Sequence, residues 1–287
     1  MGIGPEAPTM WRAILAASVV LVAAGCGGIN PPASTDRLPP GVTEAGVEDP
    51  ETLLDAHTER LRPVPYTVLD RFKRESAGQR PGISMVREVR FGADAATYWA
   101  RSRWEVEAAA RPGPATRTIE QWSNGTAVAL KTTAGNRTTY DGTRDAIGLF
   151  YPEPSQVEYR DALYVLLTTG EYSVAAATGA DQILLRGTIP DRPESVVRTV
   201  DLGAPDPEAS VGNVTVELVV TSDGRIVWWK VSWTVREADG DRYAAVRTVR
   251  IEDAGSTQIP RPAWVDRALA NETPPTEVPG PLGAGGS

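Results

Sequence analysis

The chain has one cysteine, one histidine and three lysines among its 287 residues, and these scarcities exclude several classes of protein. A single thiol cannot form an internal disulfide, so the folded part must be held together by its core. A zinc site needs three or four nitrogen or sulfur ligands, which one histidine and one cysteine do not supply. The formal net charge of −8 argues against a nucleic-acid partner, because nucleic acid binds basic surfaces. We therefore expect no metal, no cofactor and no nucleic-acid partner.

The one cysteine, Cys26, follows an apolar stretch that has the layout of a secretory signal. Arg12 precedes the run Ala13–Gly25, which is 13 residues long and ends in small residues. This run is too short to cross a membrane, because a spanning helix needs about 20 apolar residues. A charged start, an apolar middle and a cysteine after small residues are typical of a lipoprotein signal. We predict a lipid on Cys26, and a plain cleaved signal or an uncleaved anchor remain as alternatives.

Composition divides the chain into four parts. Residues 1–25 form the predicted signal peptide, and residues 26–48, rich in glycine and proline, form a flexible tether. Residues 49–270 form one domain, which is long enough for a substantial core. Residues 271–287 are a tail rich in proline and glycine that we expect to be disordered. This organisation predicts a monomer at the extracellular face of the cell membrane, held there by the lipid.

The asparagines also point to a secreted protein. Four of the five stand in the pattern Asn-x-Thr. Asparagine favours turns, and Asn-Gly in particular turns hairpins, but turn preference does not explain the threonines. Asn-x-Thr is the acceptor pattern for N-glycosylation. We predict candidate glycosylation at Asn124, Asn136, Asn213 and Asn271.

A helix is predicted to open at Asp49, with Pro50 at its first helical position. Leu53, His57 and Leu61 share one face of this helix, so the face should pack on a core. A catalytic histidine would instead have to face a nucleophile in a cleft. We therefore interpret the single histidine as structural.

From residue 66 onward apolar and polar residues alternate, which is typical of antiparallel strands with one buried face. The pairs Asn124-Gly125 and Asp223-Gly224 predict two hairpin turns. About ten strands follow from this pattern, and a sheet of that size must curl because strand twist accumulates. The predicted strands cover residues 66–75, 83–92, 97–107, 117–122, 126–133, 172–178, 182–188, 214–221, 226–236 and 243–252.

One helix is predicted inside the run of strands. A capping box at residues 155–158 opens it, and Gly170 ends it. The segment 190–212, rich in proline and acidic residues, is predicted to be a long loop, and residues 264–270 a short final helix. The fold class is therefore α+β and mainly β. We expect a curved antiparallel meander that forms a half-open barrel, with one N-terminal and one inserted helix.

This order of elements resembles the lipoprotein-carrier fold of LolA, LolB and the mycobacterial LprG/LppX group. The resemblance covers residues 49–270 and implies a half-open β-barrel lined by helices. The segment Leu53-Leu54-Asp55-Ala56-His57, followed by Leu61 and Tyr66-Thr67, also resembles the start of a group of haloarchaeal surface lipoproteins of unknown function.

Tryptophans supply the candidate binding site. Trp229 and Trp233 share one face of a predicted strand, whereas Trp228 lies on the opposite face with Lys230. Such side chains either fill an ordinary core or line an apolar cavity between the sheet and its helices. A cavity that accepts acyl chains needs no catalyst, and we therefore predict a non-enzymatic protein that binds or carries a lipid or a lipid-modified polypeptide. The candidate lining residues are Trp104, Trp122, Trp229 and Trp233.

Two other functions stay open. If the core is filled, the domain is a structural or interaction module of the cell envelope. If the fold gathers two carboxylates across a cleft, the domain is an extracellular hydrolase. The acidic stretch at residues 237–241 is better explained as a solvated hairpin turn than as a calcium site, because it lacks the twelve-residue EF-hand pattern.

Overall fold

The computed structural model describes residues 38–75, 81–94, 96–107, 116–144, 159–177, 181–191, 193–200 and 208–270. The predicted signal peptide, Cys26, the capping box, Asn271 and the tail lie outside these residues. The helices are α1 (Pro50–Leu61), α2 (Arg160–Thr169), α3 (Pro193–Val200) and α4 (Val265–Ala270). The strands are β1 (Val42–Thr43), β2 (Gly46–Val47), β3 (Tyr66–Arg74), β4 (Ile83–Phe91), β5 (Thr97–Val106), β6 (Thr116–Asn124), β7 (Val128–Ala134), β8 (Arg137–Thr143), β9 (Glu171–Ala177), β10 (Gln182–Thr188), β11 (Ser210–Thr221), β12 (Ile226–Arg236) and β13 (Arg242–Glu252).

Eleven of the strands form one antiparallel sheet in the order β8-β7-β6-β5-β4-β3-β13-β12-β11-β10-β9. Strands that follow one another along the chain pair as a meander, and the pairing of β13 with β3 joins the two halves. The sheet is curved and not closed, so β8 and β9 are its edges. This architecture confirms the predicted fold class, which is α+β and mainly β.

The sheet has two unlike faces. On one of them, the helix-covered face, α1, α2 and α3 pack over the main hydrophobic core. On the other, the outer face, α4 packs on β7 and β8 and covers a second, smaller hydrophobic cluster. Because successive side chains of a strand point to opposite faces, the strand register assigns each residue to one of them.

Helix α1 begins where the sequence predicts it. The Asp49 carboxylate accepts hydrogen bonds from the hydroxyl and the backbone N–H of Thr52, at 2.7 and 3.0 Å. These bonds lower the pKa of Asp49 because they stabilise its charged form. Pro50 occupies the first helical position, where its missing N–H costs nothing. Leu53 and Leu61 are fully buried, so the predicted face does pack on the core.

The end of the predicted tether, residues 38–48, is folded. Strands β1 and β2 pair with each other, β2 contacts β9, and Val42 is buried in the main core. Gly46 has a φ of 130°, and a Cβ at this position would overlap the carbonyl oxygen of Tyr172. Its glycine is therefore required for the close approach to β9. This part of the chain differs from the flexible tether that its composition predicts.

The predicted loop at residues 190–212 is wrong in part, because it contains α3 and the start of β11 at Ser210. Val196, Val197 and Val200 of α3 are completely buried. Valine is a weak helix former, so burial against the core rather than propensity stabilises this helix. Among the described residues, no helix combines the length and the hydropathy that a membrane crossing requires.

Candidate functional site

The register places the four candidate tryptophans on two different faces. Trp229 and Trp233 lie in the main core and are 2% and 1% exposed. Trp104 is partly buried and packs against the same core. Trp122 pairs with Trp99 across β5 and β6 on the outer face, under α4. The sheet therefore separates Trp122 from the other three, and the four do not line one cavity.

A charged cluster lies beside Trp229 in the main core, and we call it the Asp70 cluster. Arg247 donates to both carboxylate oxygens of Asp70, at 3.1 and 2.8 Å, and to the Val200 carbonyl at 2.9 Å. The Tyr159 hydroxyl donates to the same carboxylate at 2.6 Å. The Arg247 guanidinium also lies over the Tyr159 ring, 4.9 Å from its centroid. These bonds join β3 and β13 to α2 and α3.

The charges of the Asp70 cluster compensate each other. Burial, reinforced by the Asp70 carboxylate, raises the pKa of Tyr159, so its hydroxyl stays protonated and donates. Burial opposes the charge on Arg247, but the attraction and the hydrogen bonds of Asp70 raise the pKa of the guanidinium overall. A buried carboxylate held by a guanidinium and a phenol is a structural crosslink rather than a general base.

The other residues considered for chemistry have ordinary structural positions. His57 is 1% exposed, and its Nδ1 accepts a hydrogen bond from the Ile226 N–H at 3.1 Å. In the acidic stretch, the Gly240 N–H donates to the Glu237 carbonyl at 3.0 Å, and this bond closes the hairpin between β12 and β13. In the part of the chain that the structure describes, no group of three Asp, Glu, His or Cys side chains could hold a metal ion.

Two carboxylates do line one cleft, of about 450 Å³, at the ends of β4 and β5. Glu105 forms an ion pair with Arg103 at 2.6 Å, and Glu107 accepts a hydrogen bond from the Gly82 N–H at 3.3 Å. Both carboxylates thus have partners other than each other. The hydrolase alternative remains a prediction that this geometry does not favour.

Three of the predicted glycosylation sites lie among the described residues, and all three asparagines are exposed. Asn124 Oδ1 accepts hydrogen bonds from the Thr126 hydroxyl and N–H, each at 3.1 Å. Asn213 has a φ of 52° and lies where the register of β11 and β12 shifts. Asn136 lies in the turn between β7 and β8. Each side chain can therefore be reached from solvent.

Two clefts lie in line along β13 on the outer face, and together we call them the β13 groove. The first, of about 100 Å³, is lined by residues of β3, β12 and β13. The second, of about 260 Å³, continues along the same strands and extends to β11. The first is lined by Leu69, Arg71, Trp228, Thr248 and Arg250, and the second by Lys73, Glu75, Asn213, Ser232, Trp233, Thr234, Ala244, Ala245 and Val246, so the predicted residue Trp233 borders the second cleft.

The β13 groove combines a floor of small side chains with a wall on the β3 side that carries two cations. Ala244, Val246 and Thr248 form the floor along β13, and the register places Lys73 beside Val246 and Arg71 beside Thr248. Neither cation forms an ion pair within the described residues. From Ala244 to Arg250 the groove runs about 20 Å, at about 3.4 Å per residue. An apolar chain with an anionic end matches such a surface.

Sequence reasoning missed this groove although one signal was present. The alternation in β12 already places Trp228 and Lys230 together on the face opposite the core tryptophans. The other residues of the first cleft come from β3 and β13, and only the register shows that Arg250 lies beside Trp228 and that Arg71 lines the same cleft.

Comparison with known proteins gives one family match and several distant structural matches. A model of the "Family of unknown function (DUF7537)" matches residues 12–268. No curated protein matches the chain.

The structural matches are LolA-superfamily and related β-barrel-like proteins. The LolA superfamily protein NE2245 from Nitrosomonas europaea is 13% identical, with 73% of this chain and 94% of that chain covered and a TM-score of 0.21. Rv2717c from M. tuberculosis is 13% identical, with coverages of 69% and 98% and a TM-score of 0.21. A beta-barrel-like protein of domain DUF1849 from Brucella abortus is 10% identical, with coverages of 67% and 100% and a TM-score of 0.19. Values this low transfer no function to this chain.

Proposed function

This chain belongs to the family of unknown function DUF7537, and we propose that it is a lipid-anchored cell-surface protein that binds an anionic amphiphile in the β13 groove. The observation that carries the proposal is the groove itself, whose floor of small side chains lies beside Arg71 and Lys73, two cations of β3 that form no ion pair within the described residues. The ligand's apolar chain would lie on Ala244 and Val246, and its anionic end near Arg71 or Lys73. Binding of this kind is non-catalytic and needs no cofactor.

Burial of the apolar chain would supply most of the affinity. Each methylene removed from water contributes about 0.8 kcal/mol, so four of them contribute about 3 kcal/mol. A cation beside the anionic end adds a charge-assisted hydrogen bond and fixes the orientation of the ligand. The ligand class is therefore fatty acids and other lipids with one negative end, including the lipid of a modified polypeptide.

We expect the soluble form of the chain, residues 27–287, to bind a fluorescent long-chain fatty acid. Val246→Trp should weaken this binding about a hundredfold, because the indole would take the place of about four methylenes on the groove floor. Thr118→Trp is the matched control, since Thr118 lies on the outer face in β6, away from both clefts. Fluorescence titration measures the two dissociation constants. Equal binding by both variants would contradict the assignment of the groove.

The anchor is a separate part of the proposal. We expect Cys26→Ser to release the protein into the medium or to leave its leader uncleaved, because the acceptor of the lipid is lost. Cell fractionation and the intact mass of the protein measure the change. A variant that stays on the membrane after washing without detergent would count against a lipid on Cys26.

The exposed sequons support modification of the domain at the cell surface. Asn124 and Asn136 lie at turns, and such positions leave room for a glycan, whereas Asn213 lines the second cleft, where a glycan would compete with the ligand. Intact mass measurement of the native protein would report these glycans together with the lipid on Cys26.

A second function, an interaction module of the cell envelope, is favoured by the packing of the helix-covered face. Trp229 and Trp233 fill the core there, as an ordinary structural domain requires. If the wild-type protein takes up no fatty acid, this second function is the better explanation.

A further inference from the structure

The Trp228 end of the β13 groove lies near the point where the chain leaves the domain toward its anchor. Pro40 packs against Gly224, its Cδ 3.3 Å from where a Cβ on that glycine would lie. Gly224 lies in the turn just before β12, and Trp228 is four residues farther along, about 13 Å at the rise of a strand. The twelve residues from Cys26 to Leu38 reach at most about 40 Å. A tether of this length allows the Trp228 end to touch the bilayer that holds the lipid.

The charges on the outer face also favour an orientation in which this face meets the bilayer. One row of the sheet runs across β10, β11, β12, β13, β3, β4 and β5, and its charged members are four cations and one carboxylate. Arg186 and Lys230 share Glu217, and Arg103 pairs with Glu105, whereas Arg71 has no ion pair within the described residues, so the row keeps a net positive charge. The row consists of Arg186, Glu217, Lys230, Thr248, Arg71, Val86 and Arg103.

This basic row contrasts with the chain as a whole, whose formal net charge is −8. An acidic protein that gathers cations on one sheet face will turn that face toward a negative surface. Val86 is 50% exposed near the β5 end of the row, between Arg71 and Arg103. Trp228 is half-buried, pairs with Arg250 across β12 and β13, and has Lys230 two residues along its own strand on the same face. Tryptophan flanked by cations is typical of side chains at the headgroup level of a membrane.

We propose that the outer face of the sheet, centred on Trp228, Arg71 and Val86, docks on the anionic headgroups of the membrane that carries the lipid anchor. This inference rests on the proposed lipid anchor, and it identifies the bilayer as the source of the amphiphile that the groove binds. Docking places the first cleft at the headgroup level, where Arg71 and Arg250 meet the phosphate of a lipid. The second cleft then continues along β13 from that point.

The test uses the full acylated chain in vesicles and one label at a time. Val86→Cys puts a fluorophore on the outer face, and Tyr164→Cys puts it on α2, on the helix-covered side of the sheet. Tyr164 is the matched control because it is 43% exposed, close to the 50% of Val86. Acylation blocks Cys26, so each protein carries one reactive thiol. The vesicles contain phosphatidylcholine with or without phosphatidylglycerol, and a nitroxide on the headgroup quenches any fluorophore that approaches it.

We expect quenching at Val86 but not at Tyr164, in phosphatidylglycerol vesicles only, and less of it as salt is added. Arg71→Gln with Arg250→Gln should lower the ratio of docked to undocked protein about thirty-fold, because each cation near an anionic surface contributes about a factor of five. Arg62→Gln with Arg198→Gln changes the net charge equally at two exposed positions, one just after α1 and one in α3, and should leave the ratio unchanged.

Three results would overturn the inference. Equal quenching at both labels would show that the outer face does not meet the membrane in preference to the helix-covered face. Quenching that persists in Arg71→Gln with Arg250→Gln would show that docking does not depend on these two cations. Soluble polyglutamate that shields the Val86 label where vesicles do not would indicate an acidic protein partner. The mass of the same sample shows whether Cys26 carries a lipid. If it carries none, the proposed anchor fails and the inference fails with it. If it carries one, these three results count against the inference alone.

Discussion

Replacing Asp70 with alanine should lower the free energy of unfolding by about 3–5 kcal/mol. Arg247 is 5% exposed and would keep its charge in the core without a carboxylate to compensate it. Tyr159 would lose the acceptor of its 2.6 Å hydrogen bond at the same time. Urea denaturation of the soluble form, followed by tryptophan fluorescence, measures the loss.

Two controls identify the cause of this loss. Asp70→Leu combined with Arg247→Met should recover most of the stability, because two apolar side chains leave no buried charge without a partner. Glu105→Ala breaks the exposed ion pair with Arg103 and should cost less than about 1 kcal/mol. If Asp70→Ala costs no more than Glu105→Ala, the Asp70 cluster does not crosslink the core.

The adjacent residues Trp228 and Trp229 should give opposite results when each is replaced by alanine. Trp229 is 2% exposed and packs edge-on against Tyr159, with ring centroids 5.6 Å apart. Trp229→Ala should therefore lower the free energy of unfolding by about 3–5 kcal/mol. Trp228 lies on the outer face, and Trp228→Ala should change stability by about 0.5 kcal/mol.

Docking on anionic vesicles should depend on Trp228 and not on Trp229. Trp228→Ala removes the aromatic side of the first cleft, so it should reduce quenching of the Val86 label in anionic vesicles. Trp229→Ala should leave that quenching unchanged at temperatures where the variant is folded. Denaturation and vesicle quenching on the same two proteins test this. A Trp228→Ala protein that is strongly destabilised and docks normally would reverse the assignment of the two faces.

Much of the fold could be predicted from the sequence because the strands alternate cleanly. In β12, Trp229, Val231 and Trp233 are buried as predicted, while Trp228 and Lys230 face outward. β8 was missed because Arg137–Thr143 is mostly polar and exposed, so it has no apolar period to detect. It belongs to the sheet through its pairing with β7.

The candidate site was harder to predict than the fold. Alternation shows which residues of one strand share a face, but it does not show which face the helices cover. Trp104 and Trp122 both lie in predicted strands, and the register places them on opposite faces. The groove residues Arg71 and Arg250 come to line one cleft with Trp228 only after β3, β13 and β12 pair.

Because α4 packs away from the main core, the free energy of local unfolding should differ between α4 and the rest of the domain. Its buried residues, Val265 and Leu269, pack on Trp122 in a cluster that the sheet separates from the main core. Arg267 covers Tyr140, with 4.3 Å between the guanidinium carbon and the ring centroid. This six-residue helix can therefore detach while the main core stays intact, at a free energy below that of global unfolding. Its amide hydrogens should exchange with solvent before those of the central strands.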